Sequence, residues 1–256
     1  MTEKEEASLG CQASLGYLIK RSPIRILEQS INGGLKPGEI GIIASQKGVG
    51  KTSVLVQLAL DKLLQEKKVI HVSFTQHTHY VLLWYEDIFN EFISRKNDFS
   101  KNPENIPEIK NDLVKNRVLM NFNQDGVTKA QILRSLRAMI IEGGFKADSI
   151  IIDGFNFDHT DKESMAAVKA FAAELGVSVW YSCSVKDGKQ YPCGYDNEKI
   201  PLMLGNFIGD IDVVIVLQPK PDHVELLLSK DRDTIITKSL AMKLDPKTLL
   251  ILEKQP

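Results

Sequence analysis

Ile40 to Ala44 is a short apolar run that leads straight into Ser45-Gln46-Lys47-Gly48-Val49-Gly50-Lys51-Thr52. An apolar-rich helical stretch, Thr52 to Gln65, follows at once, with Val54, Leu55, Leu58, Leu60 and Leu63-Leu64 as its apolar positions. A continuous apolar run of this length is consistent with a strand buried on both faces, which is the habit of parallel sheets. Small residues between strand and helix let the backbone fold tightly, so that consecutive N–H groups point at a single anion. The helix adds the positive end of its dipole at the same place.

The loop fits the phosphate-loop pattern at Gly50, Lys51 and Thr52, with Ser45 where the pattern has its leading glycine. Lys51 offers a mobile cation for β- and γ-phosphates, and the Thr52 hydroxyl suits Mg²⁺, which keeps most of its other ligands as water and phosphate oxygens. Candidate phosphate contacts are therefore Ser45, Gln46, Lys47, Gly48, Val49, Gly50, Lys51, Thr52 and Ser53. The bland alternative is a solvated strand-to-helix loop.

Strand and helix patterns then alternate. Strands are expected at Val69 to Phe74, Val118 to Phe122, Ser149 to Asp153 and Val177 to Cys183. Helices are expected at Ile24 to Ile31, His79 to Arg95, Pro107 to Lys115, Lys129 to Glu142 and Asp161 to Leu175. Asp212 to Leu217, Val224 to Ser229 and Leu249 to Leu252 come last, without intervening helices. The fold class is α/β: a mostly parallel central sheet, helices on both faces, and antiparallel C-terminal strands at one edge. At 256 residues the chain suits one such domain, over residues 23–256, preceded by a tail or short helix over residues 1–22.

Charge excludes little but shifts the balance. The net charge of -1 argues against tight non-specific binding to nucleic acid, though not against a local basic loop. Cys11, Cys183 and Cys193 are widely spaced, which reads as free thiols in a reducing compartment rather than a disulfide framework or zinc site. The acidic N-terminus lacks the apolar centre of a signal peptide, and no apolar run is long enough to span a membrane, so a cytoplasmic protein is expected.

Asp153 ends an apolar strand, and in a parallel sheet that end carries the ligand site. There it would accept from a metal-bound water beside Thr52; the alternative is an aspartate that merely caps the next loop. His77 and His79 have no third ligand at suitable spacing, which leaves them surface or packing roles. Trp84-Tyr85 reads as core rather than a base-stacking platform.

Taken in order, Gly33-Gly34-Leu35-Lys36-Pro37-Gly38-Glu39, the strand, the loop, its helix and Val72-Ser73-Phe74 resemble RecA-like P-loop ATPases. The likeness is to the KaiC and RadA group and the hexameric replicative helicases. Ala173-Glu174-Leu175-Gly176-Val177 is similar to a segment that precedes a core strand in that family, and Leu228-Ser229-Lys230-Asp231-Arg232 to its late K-x-R motif. The resemblance implies a single RecA-like domain with another strand between the loop strand and the Asp153 strand. It implies ATP and Mg²⁺ as ligands, with Ser45 to Thr52 as the Walker A loop and Asp153 as the Walker B carboxylate. It also implies a homo-oligomer, ring or filament, with ATP between subunits and Lys230 and Arg232 reaching a neighbour's γ-phosphate.

Two departures bear on activity. Where the family has a glutamate after the second strand, this chain has Phe74-Thr75-Gln76. Gln76 can position a water by hydrogen bonding but is a much poorer base. Cys183 stands where the family tends to carry an amide. Both imply ATP binding with slow hydrolysis, in a regulatory or motor-type ATPase. The alternatives are a non-hydrolysing ATP-responsive interaction module, a ParA/MinD-type ATPase suggested by Lys47, and a small-molecule kinase. The loop from Lys186 to Lys199 interleaves Lys189, Tyr191 and Tyr195, a pattern for nucleic acid, but Asp187, Asp196 and Glu198 offset the charge. The other reading is an ordinary exposed loop or a subunit contact; a protein partner elsewhere is a further expectation.

Overall fold

The computed structural model describes residues 16, 19–20, 22–95, 106–123, 126–158, 160–186 and 194–254. Most of the expected leading tail, Cys11, Cys193 and the loop residues Asp187, Lys189 and Tyr191 lie outside them.

Chain order runs α1 (Pro23–Ser30), β1 (Ile40–Ser45), α2 (Lys51–Leu64), β2 (Val69–Ser73), α3 (Thr78–Ser94), α4 (Ile106–Lys115) and β3 (Arg117–Asn121). It continues with α5 (Lys129–Arg137), β4 (Ser149–Asp153), α6 (Lys162–Leu175), β5 (Ser178–Ser184), β6 (Val213–Pro219), β7 (Val224–Asp231), β8 (Thr234–Leu244) and β9 (Ile251–Glu253). Among the described residues, nine strands form one sheet in the order β3-β2-β4-β5-β1-β6-β7-β8-β9. From β3 to β6 every pairing is parallel; from β6 to β9 every pairing is antiparallel. β5 lies between β1 and β4, as the resemblance implies.

The side-chain period of two divides each central strand between two cores. Ile43, Ile151 and Trp180 face α1, α2, α3 and α4; Ile42, Ile152 and Tyr181 face α5, α6 and a 3₁₀ segment at Leu202–Asp210. Because both faces are covered, the central strands carry no polar alternation. α2 is buried almost all round, with Val54, Leu55, Val56 and Ala59 fully excluded from solvent. Its position under the sheet fixes where the loop at its N-terminus opens.

Helix ends follow from local chemistry. Ser22 caps α1 by accepting from the Ile24 N–H, and Pro23 occupies the first helical position, where a missing N–H costs nothing. Thr128 and Gln131 form a reciprocal capping box on α5. Gly176, at φ 65°, ends α6 in the left-handed region.

Three expectations need correction. β8 has no counterpart among the expected strands: its first six residues are mostly exposed, so pairing with β7, not a buried face, defines it. The helix expected from Lys129 to Glu142 changes to a π turn over Ala138–Glu142. The last strand begins at Ile251, because Leu249 adopts φ 57°, outside the extended region. Among the described residues no helix is long and apolar enough to cross a membrane.

Gly41 marks the tightest strand contact. A Cβ there would stand 2.4 Å from Trp180 Cε3 and Cζ3 and 2.8 Å from Leu35 Cδ1. Gly41→Ala should therefore destabilise the fold by about 1–3 kcal/mol through overpacking, read as a lowered thermal midpoint. An unchanged midpoint would contradict this account of the β1–β5 contact.

Candidate functional site

β1 ends at Ser45, and the chain turns through Gly48 at φ 84° and Gly50 at φ 114° before α2 begins at Lys51. Gly50 is needed twice over: its φ lies in the left-handed region, and a Cβ would stand 2.5 Å from Leu244 Cδ2. No side chain caps α2 at Gly50. The first-turn N–H groups of α2 are thus left to an incoming acceptor, and an anion is the acceptor that a helix N-terminus favours.

Lys51 folds back over this loop. Its Nζ donates to Gln46 O at 2.8 Å, Ser45 O at 3.1 Å and Ser45 Oγ at 3.3 Å. The side chain is buried, which holds its pKa below the usual lysine value, while Asp153 acts in the opposite direction. The ammonium is thus held by two carbonyls and a hydroxyl, all neutral, so an anionic ligand gives it a stronger partner.

Across the sheet, the Thr52 hydroxyl donates to Asp153 Oδ2 at 2.8 Å. Asp153 is 4% exposed and sits at the C-terminal end of β4. Among the described residues no group of three His, Cys, Asp or Glu side chains could hold a metal by itself. A hydroxyl and one carboxylate instead fit Mg²⁺ carried in with phosphate oxygens and water. His77 and His79 are exposed, in keeping with a surface role.

Two clefts border the turn that follows β2, and one of them reaches the loop at Gln46 and Lys47. One, of about 650 Å³, runs along α3 between Gln76, Tyr80, Trp84, Asp87 and Leu249. The other, of about 570 Å³, is lined by Gln46, Lys47, Asn156, Asp158 and Lys186. Thr75 borders both. It packs on the turn after Asp153, where a Cβ on Gly154 would lie 2.5 Å from Thr75 Cγ2. The Gly154 N–H donates to Ser182 Oγ at 2.8 Å.

Of the aromatic pair in α3, Tyr85 is core, as expected from its spacing, whereas Trp84 is half-buried and lines the first cleft. The Tyr85 hydroxyl lies 3.0 Å from His71 Nδ1, and the Arg117 guanidinium stacks 4.1 Å from the Tyr85 ring centroid. Cys183 contacts another sulfur rather than offering an amide-like hydrogen bond. It is fully buried, 3.3 Å from Met203 Sδ, and burial pushes the thiol up to about 12. Ser182, Thr75, Ser73 and Asn121 shape the site and were not singled out from sequence, because a small polar residue at a strand end carries no distinctive pattern.

Lys230 and Arg232 stand at the opposite end of the sheet. β7 runs antiparallel to β6, so its last residues meet the beginnings of β6 and β1. Neither residue is a solvated group on an edge strand. Lys230 is buried and donates to Ile211 O. Arg232 donates to Glu39 Oε1 at 3.1 Å, Glu39 Oε2 at 2.8 Å, Ile31 O at 2.7 Å and Gly34 O at 2.6 Å, and also pairs with Asp231. Each of its three nitrogens already has a partner within the subunit, which leaves no free fork for a neighbour's phosphate. In the long loop, Lys186 pairs with Asp158, and Tyr195 is half-buried against the second core.

Neither the protein-family models nor the curated proteins contain a match to this chain.

The Arg232 cluster ties the turn before β1 to the end of β7. Arg232→Ala should cost about 2–3 kcal/mol, because Glu39 and Asp231 are left partly buried without their cation. Urea unfolding measures it, and a variant as stable as the parent would refute the clamp.

Burial holds His71 down to about 4 from its ordinary 6.5, against the pull of Asp153. The folded chain keeps it neutral while the unfolded chain protonates it, so its contribution is intact above pH 6.5 and is lost as pH falls toward 4. His71→Gln should flatten the fall in unfolding free energy between pH 6.5 and 5, the part of that window above the carboxylates. An unaltered slope would count against this assignment.

Proposed function

We propose that this chain binds ATP with Mg²⁺ in the loop Ser45–Thr52, on a RecA-like single domain, and acts as a regulatory or motor-type ATPase with slow hydrolysis. The observation that carries the reading is the hydrogen bond from Thr52 to Asp153. It brings a hydroxyl and a carboxylate together, across 101 residues of sequence, at the uncapped end of a glycine-turned helix. That set of groups suits a phosphate–magnesium ligand and has no evident structural purpose otherwise.

Each residue has a part in the reading. The N–H groups at the start of α2 bind phosphate oxygens. Lys51 leaves Ser45 and Gln46 to pair with phosphate charge. Thr52 and Asp153 hold the metal, directly and through water. Mg²⁺, when bound, neutralises phosphate charge. Tyr80, 56% exposed, and Trp84 give the larger cleft an aromatic end suited to a purine. The chain has no Asn-Lys-x-Asp run for guanine, which favours adenine.

Slow hydrolysis rests on Thr75-Gln76-His77, which offers an amide where a carboxylate would activate water. The same observation favours a second reading, an ATP-responsive interaction module with no turnover. Self-association remains part of the proposal: Tyr80 and Leu83 leave apolar surface exposed on the rim of the nucleotide cleft. The role of Arg232 in trans does not, since that side chain is committed within its own subunit. Protein or nucleic-acid partners at the loop after Lys186, and a cytoplasmic location, stand as proposals on sequence grounds alone.

Steady-state hydrolysis and equilibrium binding of Mg²⁺-ATP test the reading. Lys51→Ala should weaken ATP binding about 10- to 100-fold, the worth of one charge-assisted interaction. Turnover by the parent should be low and should vanish in the variant. Equal ATP affinity for both would overturn the proposal, and tens of turnovers per minute would overturn its slow-hydrolysis clause.

A further inference from the structure

Gln76 is held at both ends of its peptide unit. Its N–H donates to Ser73 Oγ at 3.0 Å, and its carbonyl accepts from Asn121 Nδ2 at 2.6 Å. Asn121 is the last residue of the edge strand β3, directly opposite Ser73 in register. Its amide donates a second time, to Ser73 O at 3.0 Å. One side chain thereby spans the turn from Ser73 to Gln76 that carries the chain from β2 to the cleft.

This turn does not complete its own hydrogen bonding. Gln76 Oε1 is buried and has no hydrogen-bond partner among the described residues. A buried acceptor left without a donor is costly, and a folded chain retains one where a donor arrives from outside. Gln76 lines the larger cleft, next to Thr75, which borders both that cleft and the one reaching the loop at Gln46 and Lys47. The backbone of Gln76 is fixed while its side-chain acceptor is unsatisfied, an arrangement suited to receiving an O–H at one place.

We infer that Asn121 is a positioning residue, whose amide clamp on Ser73 and Gln76 aims the Gln76 side chain at the water that attacks the terminal phosphate. The inference rests on the nucleotide reading above and adds to it the second half of the water site. Asn121 touches neither phosphate nor water; it acts through Gln76. Isolated loss of the clamp frees the turn, so the bound water loses its partner while the grip of the loop on the nucleotide is unchanged.

The test compares Mg²⁺-ADP with Mg²⁺-ADP plus fluoroaluminate, whose planar fluoride mimics the phosphoryl group in transfer with water in line. Asn121→Asp keeps the size of the side chain and removes both donated hydrogen bonds. It should weaken the fluoroaluminate complex about tenfold relative to ADP alone. Gln76→Ala leaves the clamp intact and should show the same selective loss. In the Gln76→Ala background, Asn121→Asp should add nothing further.

Equal weakening of both complexes would reduce Asn121 to a structural residue. So would an Asn121 effect that persists in full without the Gln76 side chain. Thermal unfolding separates a displaced turn from an unfolded edge, and Gln76→Ala carries the test if Asn121→Asp does not fold. A parent protein that binds neither complex would remove the nucleotide reading and this inference with it. A parent that binds ADP but gains nothing from fluoroaluminate would remove the inference alone.

Discussion

The hydrogen bond between Thr52 and Asp153 depends on a parallel sheet in which one strand separates β1 from β4. Strand spacing sets the gap, and the first turn of α2 reaches back across it beneath β5. The rest of the candidate site is arranged around that contact. The left-handed glycines admit the loop, Lys51 closes over it, and the Ser73–Gln76 turn borders it from the next strand outward. Without β5 in place, Thr52 and Asp153, 101 residues apart in sequence, would have nothing to bring them together.

The two ends of the sheet serve different purposes. At the C-terminal end of the parallel strands, polar groups lack full satisfaction among the described residues: Gly50 gives α2 no side-chain cap, and Gln76 Oε1 has no donor. At the opposite end, satisfaction is dense. Arg232 joins Glu39, Asp231 and two carbonyls, and Asp212 accepts from the Ile40 N–H and pairs with Lys169. A charged network with its partners in place rigidifies the start of β1. The contrast distinguishes an end with an uncapped helix from one tied together by a charged network.

Much of this was legible in sequence because its signals are local. Ile40 to Ala44, Ser149 to Asp153 and the helix after Lys51 are apolar runs of characteristic length, and a chain must bury them. Gly50-Lys51-Thr52 names its own turn and helix start. Other features had no local signal. β8 is exposed along its first half and is held by backbone pairing, which no side-chain pattern reports. Asn121 ends a strand as any asparagine might. Lys230 and Arg232 matched a motif by spacing, yet spacing does not record that Glu39 lies 193 residues away in sequence and within hydrogen-bond reach of Arg232 in space.

The sequence by itself determined the α/β class, the order of nearly every element, the tight loop before α2 and the choice of Asp153 as its partner. These depend on periodicity and on the backbone freedom of glycine, both readable within a few residues. Only the tertiary structure decided the strand order, the engagement of Arg232, the burial of Cys183 and the clamp of Asn121 on Gln76. Each of those depends on which side chains meet across the sheet, and strand register, set by the packing of two cores at once, is what brings them together.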